Sequence, residues 1–179
     1  NPFYRLKIAR CLLTGGPHGV DYSRPNCQFI EADTSPTNGY EINCDWTIQD
    51  CYGNVPRDRT IVDFKCRGMK LLRSHILCPS SGAFQLREGR EHRVEQCRLG
   101  GYIEICRGPG TVIANTVAGF IRPIAGVQTY NQFQGNGQGQ AYKTVIANCS
   151  GVLEIGKSYG SSFDKPALDT FCLLYTSPS

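Results

Sequence analysis

No stretch of this chain approaches the roughly 18 uninterrupted apolar residues that a membrane-spanning helix needs, and none opens it with the charged-then-apolar pattern of a signal peptide. A secreted protein of this sequence would be a mature form whose leader has gone, and the Asn1-Pro2 start without Met agrees with that. Charge is sparse as well: Asp, Glu, Lys and Arg make up 19% of the residues, for a formal net charge of +4. That balance is too mild and too dispersed for the dense basic stripe of a nucleic-acid binder. The three histidines, His18, His75 and His92, are scattered, and no C-x2-C knuckle accompanies them, so neither a metal site nor a cofactor is expected. There is no G-x-S-x-G, and Gly135-Asn136-Gly137-Gln138-Gly139 lacks the downstream Lys-Ser/Thr of a phosphate loop.

Cysteine, by contrast, is abundant. Ten of the 179 residues are Cys11, Cys27, Cys44, Cys51, Cys66, Cys78, Cys97, Cys106, Cys149 and Cys172. A chain kept reduced has little use for so many thiols, whereas in an oxidising compartment each well-placed bridge adds about 2–4 kcal/mol. The expectation is five disulfides in a secreted, extracellular protein. Six cysteines end at Cys78 and four follow from Cys97, which predicts that bridges stay within each half.

The remaining pattern is that of strands and turns. Asn1 as a cap, Pro2, and Phe3, Leu6, Ala9 or Arg10 and Leu13 at helical spacing predict a helix over 2–14, ended by Gly15-Gly16-Pro17. Short β-like runs follow at 40–48, 60–66, 102–106, 111–117, 120–124, 143–147 and 152–155, separated by Gly, Asn or Pro. In 60–66, Val62, Phe64 and Cys66 share one face and Asp63 and Lys65 the other, the mark of a half-buried strand. Residues 84–99 read as a hairpin turning at Glu88-Gly89. The break at Cys78-Pro79-Ser80-Ser81-Gly82 divides the chain into a cysteine-rich N-terminal module, 1–82, and a β-rich C-terminal one, 83–179. The expected fold is mainly β with a short N-terminal helix, a disulfide-rich first module and a sandwich-like second.

Three candidate sites emerge. Asn148-Cys149-Ser150 fits the rule for N-glycosylation at Asn148. In 87–93, Glu88, Arg90 and His92 are the parts of a small nuclease-like hydrolase, with His92 as general acid or base and Arg90 on a phosphate. A second proton-handling group, His18 or His75, enters only by assumption, and alternating charge on a solvated face explains the same residues. The uncharged run 126–141 offers Tyr130 and Phe133 among amides, the mixture that a carbohydrate-binding module uses, although such composition is also that of a plain linker.

An N-terminal helix, a six-cysteine module from Cys11 to Cys78, the break at 79–83 and a β-rich second half resemble the dual-domain effectors secreted by Fusarium-type plant-pathogenic fungi. The resemblance is one of architecture and implies a non-enzymatic virulence protein, acting by surface binding on a host protein or cell-wall component and sometimes met by a host immune receptor. The functional expectation is therefore a secreted interaction protein, with a hydrolase and a carbohydrate-binding module as the alternatives.

Overall fold

A computed structural model describes residues 5–14, 30–32, 45–55, 60–64, 66–86, 91–105, 110–123, 144–154 and 171–173, with the side chains of 30–32 and 171–173 excepted. Among the described residues there are seventeen strands and no helix. The chain winds in coils. The first carries β1 (Lys7–Ala9), β2 (Leu12–Thr14) and β3 (Ile30–Ala32); the second β4 (Thr47–Gln49), β5 (Tyr52–Asn54) and β6 (Thr60–Phe64); the third β7 (Lys70–Leu72), β8 (His75–Leu77) and β9 (Ala83–Leu86). The fourth carries β10 (Arg93–Glu95), β11 (Arg98–Leu99) and β12 (Tyr102–Ile105), and the fifth β13 (Val112–Ala114) and the long β14 (Val117–Pro123). Then come β15 (Val145–Ala147), β16 (Ser150–Leu153) and β17 (Phe171–Leu173).

Each strand pairs in parallel with its equivalent one coil away. The first face is the sheet β1-β4-β7-β10-β13-β15-β17. The second face, β2-β5-β8-β11, and the third, β3-β6-β9-β12, join through β14, whose start pairs with Arg98 and whose end pairs with Ile103 to Ile105. Parallel stacking of successive coils is the arrangement of a β-solenoid, in which every coil buries its inner face only against its neighbours.

The register dictates the core. Ile48, Leu71, Val94, Ile113 and Ile146 align across the first face, and Val62, Phe84, Ile103 and Ile121 across the third. All are at most 2% exposed. Full burial of each such side chain is worth about 1.5–3 kcal/mol. One cluster includes both Ile76 and Phe84, so the core continues across residues 79–83.

Two columns of left-handed residues turn the chain. Between the first and second faces, Arg10, Asp50, Arg73, Gln96, Asn115 and Asn148 all have φ between 44° and 56°. Ahead of the first face the same role falls to Asp45, Gly68, Glu91 and Gly110. After each residue of the first column comes Cys11, Cys51, Ser74, Cys97, Thr116 or Cys149, and each donates its side-chain hydrogen to the carbonyl two residues back, at 2.8 to 3.3 Å. Ser74 Oγ also accepts from Cys51 N–H, and Thr116 Oγ1 from Cys97 N–H, tying one corner to the next. Outside, Arg73 forms a bidentate pair with Asp50 and holds that carboxyl below its ordinary range.

Several expectations from the sequence are corrected here. Residues 7–14 form β1 and β2, not a helix: Arg10 at φ 55° breaks any helical run, and β1 bonds laterally to β4. The hairpin over 84–99 is replaced by β9, β10 and β11, each paired in parallel with strands of other coils. A sandwich of antiparallel sheets is excluded for the described strands, which pair only in parallel. The disulfide-rich module is not supported either, because Cys11, Cys51, Cys66, Cys78, Cys97 and Cys149 are free thiols. In the ladder the sulfur serves as a small hydrogen-bonding group, the same task that Ser74 and Thr116 perform. Cys27, Cys44 and Cys106 lie outside the described residues, as does the side chain of Cys172.

Two measurements follow. Gln96→Gly removes the left-handed penalty of a side-chain-bearing residue and raises unfolding free energy in urea by about 0.5–1 kcal/mol, while Gln96→Val lowers it by about 1–2 kcal/mol. Burial pushes the Cys97 thiol up to about 11, so at pH 8 it is almost wholly protonated. Among the described cysteines, iodoacetamide should modify the exposed Cys11 ahead of the buried Cys97 in the native protein.

Candidate functional site

Strand alternation sends every second residue of a coil outward, and the outward rows of the second and third faces differ in kind. On the third face Asp63, Gln85, Glu104 and Arg122 share one register row. Gln85 donates to Glu104 (2.8 Å), and Arg122 donates to Glu154 (2.6 Å) while its guanidinium lies over the Tyr102 ring at 5.1 Å. Burial works against the charge of Arg122, but the hydrogen bond and field of Glu154, with Glu104 behind, outweigh it and hold the guanidinium pKa above its ordinary value. Asp63 and Glu104 have no exposure at all although they point away from the core. Asp63 was expected on the wet side of a half-buried strand; the strand is buried on both sides. Within this row Glu104 Oε1 is buried, lies 4.0 Å from Arg122 Nη1 and accepts no hydrogen bond. Arg122→Gln, which leaves Glu104 and Glu154 uncompensated, should cost about 3 kcal/mol of stability in urea unfolding.

The second face is open. Leu12, Tyr52, His75, Arg98, Val117 and Ser150 align in successive coils as its first outward row. Leu12 is 69% exposed, Tyr52 47% and Val117 45%. Leu77, also exposed, stands in the second outward row with Thr14 and Asn54, and Val152 is exposed beside Phe120. Tyr52 and His75 meet edge to face, centroids 5.2 Å apart, an arrangement that fixes both rings. Nε2 of His75 is covered and makes no hydrogen bond, so the ring itself is what His75 presents. The row carries three of the exposed large hydrophobic side chains among the described residues, Leu12, Tyr52 and Val117, and clustered exposed apolar side chains mark contact sites.

The residues singled out in the sequence fall elsewhere. His92 aligns with Met69 and Thr111 on the inner side of the coils, has no exposure, and packs its ring against Phe64 at 6.2 Å. Its neighbour Glu91 is exposed and forms a bidentate pair with Arg67. Glu88 and Arg90 lie outside the described residues, as do His18, Tyr130 and Phe133. Asn148 is exposed at a corner and donates from Nδ2 to Asn115 Oδ1 at 3.2 Å, while the Cys149 thiol next to it is buried. Sequence reasoning missed Tyr52 and His75 as partners. They are 23 positions apart, the interval that also separates Thr47 from Lys70 and Lys70 from Arg93, and that period was the signal. No family model, curated protein or solved structure matches the chain.

Proposed function

We propose that the chain is a non-catalytic binding protein that holds an extended polysaccharide along its second face. The observation that carries this reading is the exposed row Leu12, Tyr52, His75, Arg98 and Val117, with the Tyr52 and His75 rings fixed against each other. Backbone hydrogen bonds of these strands are consumed within the sheet, so a partner meets side chains and not an open edge. Sugar rings have apolar C–H faces that lie on aromatic and aliphatic side chains, and hydroxyls that reach amides and hydroxyls such as Asn54 and Thr14 at the margin. Rungs repeat at about 4.8 Å along the solenoid, so a linear polymer laid along the axis meets an equivalent row position at every coil.

Of the effector-type expectation this keeps the surface binding, and it takes up the carbohydrate alternative at a different place from the run 126–141. An extracellular location was expected from oxidised cysteines, and the six described cysteines, as free thiols, lend it no support. His92, buried in the core, gives the hydrolase reading no accessible general base.

Affinity electrophoresis through gels containing soluble plant and microbial polysaccharides tests the proposal. Retardation by at least one polymer is expected, with Tyr52→Ala weakening it about tenfold, equivalent to about 1.4 kcal/mol. Unretarded migration on every polymer, or retardation that Tyr52→Ala leaves intact, would overturn it.

A further inference from the structure

We infer that the polysaccharide held on the second face is acidic, and that Arg98 reads its carboxylates; this rests on the polysaccharide reading above. Of the other eight Lys and Arg residues described, Arg5, Lys7 and Arg10 at the start of the first coil form no ion pair among the described residues, and the remaining five are paired within the chain. Arg67 pairs with Glu91, Lys70 with Asp45, Arg73 with Asp50, Arg93 with Glu95 and Arg122 with Glu154. Each of these is neutralised by a carboxylate of the protein. Arg98 is exposed and has no carboxylate partner among the described residues; its backbone N–H is spent on Ser74 O.

The position of Arg98 matters as much as its freedom. It stands in the middle of the exposed row, directly beside His75 on one side and Val117 on the other. Tyr52 is two rungs away, about 10 Å along the axis at the spacing of parallel strands. Two residues on in sequence and on the neighbouring coil, Gly100 and Gly119 are exposed and raise no side chain over the face. At Gly100 none fits, since a Cβ would come within 2.4 Å of the Cys78 carbonyl oxygen. A guanidinium set in an apolar, aromatic row and flanked by bare backbone is open to an incoming carboxylate, which it binds with two parallel hydrogen bonds. A neutral polymer would leave that charge against apolar sugar faces without a counter-ion. A polymer of uronic acid units supplies both the ring faces for Tyr52 and His75 and the carboxylates for Arg98. No bond is made or broken in this interaction.

The test uses the full chain and two forms of one polymer, polygalacturonate and its methyl ester, so that only the carboxylate changes. The wild-type protein should bind the acid form at least tenfold more tightly than the ester, with the difference shrinking as salt rises. Arg98→Gln should abolish the preference for the acid form over the ester, and Arg98→Lys should fall between. Tyr52→Ala should weaken both forms. Circular dichroism and Tm of the Arg98 variants should match the wild type, because the side chain packs against no carboxylate of its own chain. Equal binding of both forms, or an Arg98→Gln protein that still prefers the acid, would overturn the acidic assignment and leave the polysaccharide reading standing. Binding of neither form, together with no binding of any neutral polysaccharide, would overturn both.

Discussion

At the corner between the first and second faces, a left-handed residue is followed by a small hydrogen-bonding side chain that reaches back to the carbonyl two positions earlier. This repeats at Cys11, Cys51, Ser74, Cys97, Thr116 and Cys149. Everything else in the described structure depends on it. The interaction adds a second hydrogen bond to corner carbonyls such as Leu72, Glu95, Ala114 and Ala147, each of which also accepts a backbone N–H from the preceding coil, and satisfies the buried side-chain donor itself. It also fixes the angle between faces, and because the same angle recurs, strands of successive coils come into register without slipping.

From that register follow both surfaces. Identical alternation in every coil stacks like positions into rows, so a single choice of residue type at one position is expressed as a stripe. On the third face the stripe is an amide, carboxylates and a guanidinium buried side by side. On the second it is Leu12, Tyr52, His75, Arg98 and Val117, open to solvent. The contrast between a buried row and an exposed one is what directs the functional reading to the second face.

Much of the strand content was legible in the sequence. Runs such as 60–66 and 102–106 alternate as strands do, and β6 and β12 lie within them. The way the strands join was not. Parallel pairing across a coil leaves no short-range mark like a hairpin turn, and the repeat is degenerate: Ile48-Gln49-Asp50-Cys51, Leu71-Leu72-Arg73-Ser74, Val94-Glu95-Gln96-Cys97 and Ile113-Ala114-Asn115-Thr116 share a pattern of apolar, variable, left-handed polar and small hydrogen-bonding residues, not an identity. The interval also varies, since β13 begins 19 positions after β10. Cysteine misled most, because its frequency suggested bridges where the fold uses the thiol in place of a hydroxyl. The same hidden period placed His92 inside the coils, though its neighbours Glu91 and Arg93 are exposed, as its sequence setting suggested.

The central claim is that the corners are stacked coil on coil, and amide hydrogen exchange tests it most directly. The N–H groups of Asp50, Arg73, Gln96 and Asn115 sit in turns, yet each donates to a carbonyl of the following coil, at Leu72, Glu95, Ala114 and Ala147. The account predicts that these four amides exchange as slowly as those of the neighbouring strands. Exchange at the rate of exposed turn amides would contradict it.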